Sequence, residues 1–117
     1  MLEKPAFIQG LFPYEGRGLG RPQPFEPPVV YDVPADKRAQ TIYFRAGNPA
    51  AELIYLVLVC RGKPMRYFPV GAKSAIHVPL AVVEDISPGS RVEVVIAAQT
   101  EQRSSVLLDI GFMEISS

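Results

Sequence analysis

Prolines are concentrated at the start of this chain, and turn signals divide the remainder. Seven of the twelve prolines fall within the first 34 residues. This segment has almost no apolar periodicity of its own, so it should stay mobile unless a surface holds it down. From residue 29 onward, runs rich in β-branched and aromatic residues are separated by glycine, proline and asparagine turns. The sequence therefore predicts an extended Pro/Gly-rich N-terminal arm over residues 1–28 and a β-sandwich domain over residues 29–117.

Large hydrophobic side chains are spaced along the predicted arm, and a flexible linker would not need them. They are Phe7, Ile8, Leu11, Phe12, Tyr14 and Phe25. Between Tyr14 and Phe25, flexible glycines are mixed with stiff prolines. After Phe25, the pair Pro27-Pro28 favours a polyproline-like path. We therefore predict that these six side chains anchor the arm in pockets, either on a partner or on the arm's own domain.

The β domain is predicted to be a small antiparallel β-sandwich. Its strand segments are 29–33, 39–45, 52–60, 65–70, 74–80, 91–98 and 106–115. About seven short strands at spacings of roughly 8–12 residues are typical of immunoglobulin-like or jelly-roll sandwiches. Strict alternation in the second segment would put Ile42 and Phe44 on one face, with Tyr43 on the other. Gly111 marks a candidate β-bulge in the last segment.

The strand at Glu52–Cys60 is apolar on both faces. An antiparallel strand with one wet face would alternate with polar side chains, so we expect its second face to be covered too. At about 25 cal/mol per Å2, leaving such side chains in water would forgo several kcal/mol. The cover could be the arm, a neighbouring subunit, or the segment Leu80–Ile86, which could form a helical turn. The candidate partner interface is the face of Ile54, Leu56 and Leu58.

Groups that could support catalysis or bind a metal are scarce. The chain has one histidine, His77, and one cysteine, Cys60. Alternation with Ile76 and Val78 points His77 outward. Its pairing with Asp85 and a serine is not supported by any Gly-x-Ser-x-Gly motif. One histidine and one cysteine cannot form a zinc site alone, and the carboxylates are scattered. The sequence therefore predicts no enzyme activity, no metal and no cofactor.

Charge and hydropathy narrow the range of partners. Twelve basic residues balance twelve acidic ones, so no strong field attracts nucleic acid or an anionic membrane. Weak self-repulsion permits packing against copies of the same chain. The N-terminus does not read as a signal peptide, and the longest apolar run, Leu53–Cys60, is too short for a membrane helix. We predict a homo-oligomer that docks on a larger protein assembly, in a virion or the cytoplasm.

The tyrosines suggest an alternative function. Carbohydrate-binding sandwiches usually present a flat aromatic platform, and Tyr43 and Tyr67 could supply one. The competing interpretation of these side chains is cross-strand packing. The alternative is therefore a module that binds sugars or a signalling partner through these two tyrosines.

In its architecture, the whole chain resembles the capsid decoration, or cement, proteins of tailed bacteriophages. The shared features are the arm through Pro28, the strands divided by turns from Val29 onward, and the two-faced strand Glu52–Cys60. This resemblance implies oligomers seated at junctions between capsid subunits, with the arm reaching over a neighbour. It transfers no site residues.

A second resemblance is to the soluble sensory rhodopsin transducer family. It is carried by residues 13–18 (PYEGRG), by Ala46-Gly47-Asn48, and by residues 67–73 (YFPVGAK) together with His77. This resemblance implies a small oligomeric β-sandwich with a signalling role.

Overall fold

A computed structural model describes residues 3–80 and 85–116, which form two antiparallel sheets. The strands are β1 (Glu3–Glu15), β2 (Gln23–Asp32), β3 (Lys37–Asn48), β4 (Ile54–Cys60), β5 (Lys63–Val70), β6 (Ser74–Pro79), β7 (Asp85–Ile86), β8 (Arg91–Ala97) and β9 (Arg103–Ser116). The β1 sheet has the order β1-β9-β3-β6, with β7 also pairing with β3, and the β2 sheet has the order β2-β8-β4-β5. The predicted all-β sandwich is confirmed, and this strand order is that of a jelly roll.

The core lies between the two sheets and is filled by alternate residues of their strands. Phe44 of β3 stacks on Phe68 of β5 with ring centroids 3.8 Å apart, which joins one sheet to the other. Val92, Val94 and Ile96 of β8 are fully buried, as their alternation predicts. Burial of each such side chain contributes about 1.5–3 kcal/mol to folding, so this layer holds the sheets together.

The residues predicted as an arm form two edge strands of the sandwich instead. β1 pairs with β9 over all 13 of its residues, and β2 pairs with β8. The predicted boundary at residue 28 falls inside β2. Ile8, Tyr14 and Phe25 are buried in the common core. The structure therefore corrects the division into an arm and a domain, because both parts share one set of sheets and one core.

The position of the prolines explains why this segment was taken for an arm. The outermost strands of the two sheet orders are β1, β2, β5 and β6. Among the described strands, these four hold all the prolines: Pro5, Pro13, Pro24, Pro27, Pro28, Pro64, Pro69 and Pro79. Proline cannot donate to a ladder, and only an edge strand has amides with no neighbouring strand to meet. Proline density here marks the edges of a sandwich.

The predicted interface face of β4 is the core face. Ile54, Leu56 and Leu58 are 0%, 0% and 1% exposed, so no partner can reach them. Because β4 lies inside the β2 sheet, between β8 and β5, its alternate residues must face the other sheet. The prediction that this face serves an interface is therefore corrected.

The other face of β4 is covered in part by the loop that joins β1 to β2. The Tyr55 hydroxyl donates to the Leu19 carbonyl, and the Gly18 amide donates to the Ala98 carbonyl. Of the three covers predicted, the structure shows the first, since this loop belongs to residues 1–28. The helical alternative at Leu80–Ile86 falls mostly on residues 81–84, outside the described residues.

A bulge in β3 changes the predicted alternation. The register of β3 with β9 shifts between Thr41 and Tyr43, opposite Gly111. Ile42 is consequently 39% exposed, whereas Phe44 is fully buried, so the two do not share a face. The predicted bulge position, Gly111, lies across from the bulge and accommodates a ring. A Cβ added to Gly111 would overlap the ring of Tyr43.

Candidate functional site

The outer face of the β1 sheet carries its side chains in three rows that cross β1, β9, β3 and β6. The strand registers place Phe7, Gly111, Tyr43 and Pro79 in the first row, Gln9, Asp109, Arg45 and His77 in the second, and Leu11, Leu107, Gly47 and Ala75 in the third. The middle row is polar, and the rows on either side of it bring large apolar side chains. This alternation gives the face both hydrophobic anchors and directional hydrogen-bonding groups.

Asp109 is the hub of the polar row. Its Oδ1 accepts a hydrogen bond from the Tyr43 hydroxyl at 2.8 Å and another from Gln9 Nε2 at 3.1 Å. Arg45 donates to Oδ2 at 3.4 Å. The Tyr43 ring meets the His77 ring edge-on, with centroids 6.1 Å apart. Because these contacts link β1, β9, β3 and β6, the row is positioned before any ligand or partner arrives.

The electrostatics of the hub fix its protonation state. The hydrogen bond from Tyr43, with smaller contributions from Gln9 and the charges of Arg45 and His77, lowers the pKa of Asp109. Partial burial, and then the hydrogen bond to Asp109, raise the pKa of Tyr43. The carboxylate therefore stays ionised and the phenol stays protonated across the neutral range. Such a pair can orient a bound group, but it is not tuned to exchange protons near neutral pH.

A groove opens beside the polar row because the third row has no side chain at Gly47 and only a methyl group at Ala75. Leu107 bounds it on one side, and Arg45 and His77 bound it on the other. Its volume is about 340 Å3, and a second depression of about 530 Å3 adjoins it past Leu107. These volumes lie within the usual range of small-ligand sites. The groove thus offers an apolar floor with a charged rim.

Three large hydrophobic side chains of these rows remain exposed, and Ile42 of β3, 39% exposed, adds a fourth on the same face. Phe7 is 52% exposed, Leu11 64% and Leu107 55%. Leu11 and Leu107 are cross-strand partners and lie side by side. Clustered apolar exposure of this kind marks contact surfaces more often than scattered single residues do. Two of the six predicted anchors, Phe7 and Leu11, are therefore available to a partner.

The other four predicted anchors are used inside the chain. Ile8, Tyr14 and Phe25 are 7%, 9% and 3% exposed. Phe12 packs against the core, with its ring 5.8 Å from that of Phe25. Even-numbered residues of β1 face the core and odd-numbered ones face outward, because side chains alternate along a strand. The prediction of partner docking is corrected for these four.

Tyr43 and Tyr67 lie on opposite sides of the molecule. Tyr43 is on the outer face of the β1 sheet, bonded to Asp109. Tyr67 is 60% exposed on the outer face of the β2 sheet, 6.1 Å from the Tyr55 ring, because its neighbour Phe68 fills the core. The two side chains cannot form one ligand platform, so that prediction is corrected.

Asp109 and Leu107 were not singled out from the sequence. Both occur in the segment 106–115, where Asp109 is the one charged residue among apolar neighbours until Glu114. This charged residue within an apolar run, together with the two-residue alternation of a strand, was the sequence signal that could have placed Asp109 and Leu107 on the outer face. His77 is exposed, as its alternation predicts.

Metal ligands do not converge in the part of the chain that the structure describes. In residues 3–80 and 85–116, no three His, Cys, Asp or Glu side chains are grouped so that they could hold an ion. Over the same ranges, no helix has the length and apolarity needed to cross a membrane.

Comparison with known proteins relates the chain to others by fold. No family model and no curated protein matches the sequence. The CBM36-1 domain of a multidomain xylanase from the hindgut metagenome of Trinervitermes trinervoides has a TM-score of 0.61 and 14% identity, covering 97% of this chain and 99% of that one. A chain of infectious bursal disease virus, Gx strain, has a TM-score of 0.54 and 10% identity, and this chain spans 34% of its length. At these identities the likeness concerns the fold alone.

Proposed function

We propose that this protein is a non-catalytic β-sandwich module that docks on a larger protein assembly through the outer face of the β1 sheet. The observation that carries the proposal is the exposure of Phe7, Leu11 and Leu107 beside a polar row that is already hydrogen-bonded to Asp109. Protein interfaces combine a few large apolar anchors with a polar surround. A capsid decoration protein is the most concrete version, since a chain of a virus structure contains the same fold.

The protonation states of the polar row favour binding over chemistry. Proton transfer is most effective when the pKa of the group lies near the working pH. The pKa of Asp109 is lowered and that of Tyr43 is raised, so both move away from neutrality. We therefore assign the row the role of positioning a partner's polar groups.

Co-sedimentation with large particles tests this function. The tagged protein is expressed in the organism that encodes it, and the lysate is run on a density gradient. The double variant Leu11→Ser, Leu107→Ser removes two adjacent anchors and should reduce the particle-bound fraction about tenfold or more, since a central anchor contributes about 1–2 kcal/mol or more.

A matched control changes the opposite face. Leu53 and Tyr67 are 42% and 60% exposed on the outer side of the β2 sheet. The double variant Leu53→Ser, Tyr67→Ser should sediment like the wild type. The proposal is overturned if the wild-type protein travels with no large particle, or if the two double variants lose binding equally.

A small-ligand function is the second candidate, and the groove favours it. Arg45 and His77 project polar groups over an apolar floor of Gly47 and Ala75. A carbohydrate-binding domain shares this fold over nearly the whole of both chains. If a glycan array yields a ligand, the double variant Arg45→Ala, His77→Ala should abolish its heat of binding in calorimetry. Unchanged binding by this variant, or no ligand on the array, contradicts this candidate.

A further inference from the structure

Strand β1 is the longest uninterrupted edge of the sandwich. Its 13 residues pair with β9 in one continuous register. The pairing of β2 is broken between Pro24 and Val29, that of β5 shifts opposite Leu58 and Val59, and β6 has only 6 residues. A long, regular edge with free amides and carbonyls is a template for another strand. Of the described edges, β1 is the one that can accept such a strand over its centre.

The odd-numbered residues of β1 direct their backbone groups to the open side. The Leu80 amide donates to the Ile42 carbonyl, which shows that even-numbered residues of β3 bond towards β6. The registers carry this alternation across the sheet, so even-numbered residues of β1 bond to β9. Pro5 and Pro13 are odd-numbered, so their missing amide hydrogens cost no bond within the sheet. The amides that point outward between them belong to Phe7, Gln9 and Leu11.

This edge is self-complementary about Gln9. In an antiparallel pairing of two copies centred on Gln9, Phe7 of each copy faces Leu11 of the other. Pro5 then faces Pro13, so the residues that lack a donor coincide and end the ladder at both sides. The three residues between the prolines exchange about six N–H···O bonds, because facing residues of this type bond in both directions. No other centre on β1 matches proline to proline.

The side chains fit the same register on the core side of the strand. With Gln9 at the centre, Ala6 faces Phe12 of the second copy, and Ile8 faces Gly10. Each pair joins a large side chain to a small one, which lets the two rows interdigitate without overlap. Ala6 and Phe12 are only partly buried within one chain, so contact with a second copy would remove apolar surface from water.

We infer that two copies of this chain pair through β1 into a two-fold dimer with one continuous sheet. The symmetry axis passes midway between the two Gln9 residues, perpendicular to the sheet, so both outer faces point the same way. Phe7 of one copy then joins the Leu11–Leu107 pair of the other. The pairing closes on itself and consumes the edge, which limits assembly to a dimer. Such a dimer would present the proposed docking face twice and gain from bivalency.

A proline at the symmetry axis tests the inference on purified protein, independently of any docking partner. Gln9→Pro removes the central amide but no bond to β9, whereas Gln9→Ala keeps the amide and equally removes the contact with Asp109. In sedimentation equilibrium, wild type and Gln9→Ala should reach twice the chain mass of 12.8 kDa. Gln9→Pro should raise the dimer dissociation constant about tenfold or more, because two bonds are lost at the centre.

The result is decisive in either direction. Circular dichroism should show that both variants keep their strands, since the removed donor faces away from the sheet. A wild-type protein that stays at 12.8 kDa at every concentration overturns the inference. So does a Gln9→Pro variant that dimerises as tightly as Gln9→Ala.

Disulfide trapping tests the register, in a Cys60→Ser background that removes the native thiol. At the axis, the two Cα atoms of residue 9 would be about 5.5 Å apart, within disulfide reach, so Gln9→Cys should give a covalent dimer on mild oxidation. The Cα atoms of residue 11 would be about 14 Å apart, so Leu11→Cys should not. Equal trapping at both positions, or none at residue 9, contradicts the proposed pairing.

Discussion

The edge strands β1 and β2 come from the same proline-rich stretch of sequence but differ in how they pair with their neighbours. β1 keeps one register with β9 along its whole length. In β2 the residues 25–28 are inserted between Pro24 and Val29, so the pairing with β8 is interrupted and Phe25 turns into the core. Both edges are rich in proline, but only that of β2 is blunted. The comparison shows that proline content identifies an edge, whereas register decides whether that edge stays open.

The largest effect is expected from removing both strands together. A chain that begins at Val29 loses all of β1 and most of β2, and with them the buried side chains of Ile8, Tyr14 and Phe25. Since β9 would lose its whole outer neighbour and the core would lose these side chains, although β8 keeps its pairing with Val29–Asp32, we expect no cooperative unfolding transition. Circular dichroism during heating measures this. A sharp transition near that of the full chain would show that residues 1–28 are an arm after all.

The second-largest effect is expected when one phenylalanine ring is removed from each strand and the two losses of stability are compared. Phe25→Ala empties a core position in the β2 segment and should lower the free energy of unfolding by about 3–5 kcal/mol. Phe7→Ala, on the outward side of β1, should change it by less than about 1 kcal/mol when measured on monomer. Urea denaturation gives both values. Similar losses for the two variants would mean that the faces of β1 are misassigned.

The third effect concerns the hydrogen bond that ties each strand to β9. In β2 the Tyr31 hydroxyl donates to Oε2 of the buried Glu114 at 2.6 Å, and in β1 Gln9 donates to the exposed side of Asp109. Tyr31→Phe leaves a buried carboxylate without this donor and should cost about 1–3 kcal/mol. Gln9→Ala should cost less than about 0.5 kcal/mol, since water replaces the bond. Equal costs in urea denaturation would contradict the difference in burial.

The smallest effect is expected in the pH dependence of stability that one carboxylate beside β1 and one in β2 contribute. Hydrogen bonding by Tyr43 lowers the pKa of Asp109 beside β1, and hydrogen bonding by Arg91 lowers the pKa of Asp32 in β2. A carboxylate whose pKa is lower in the folded state stabilises the fold above its unfolded pKa of about 3.9, and this is lost as the pH falls through the folded pKa.

Asp109→Asn and Asp32→Asn should therefore differ slightly in stability from the wild type near neutral pH, and the difference should disappear once the pH falls below the lowered pKa of the folded state. The gap should be small, because both carboxylates are in contact with solvent. Urea midpoints from about pH 2 to 7 measure it. A gap that widens on acidification would reverse the assigned direction of the pKa shifts.

Local patterns predicted much of the fold. Turn signals and alternation located seven strands, which the structure shows as β2 to β6, β8 and β9. The inward face of β8 and the outward direction of His77 also followed from alternation. β1 was missed because proline, glycine and scattered apolar residues give the same signal in an edge strand as in an extended arm.

The candidate site was harder to predict because it depends on pairing between distant segments. Gln9 and Asp109 are 100 residues apart in sequence and meet only through the register of β1 with β9. The bulge beside Tyr43 shifts the register of β3 with β9 by one residue, which local alternation could not reveal. Phe7, Leu11 and Tyr43 were identified in advance, but their grouping around Asp109 required the sheet.

Amide hydrogen exchange tests most directly whether β1 is the binding edge of this molecule. In concentrated wild-type protein, the outward amides of Phe7, Gln9 and Leu11 should exchange slowly, and they should exchange fast after dilution. In the Gln9→Pro variant, which has no amide hydrogen at residue 9, the amides of Phe7 and Leu11 should exchange fast. The amides of Ile8 and Phe12, which bond to β9, should stay slow throughout. Rapid exchange of the outward amides at every concentration, with the inward ones protected, would contradict the account.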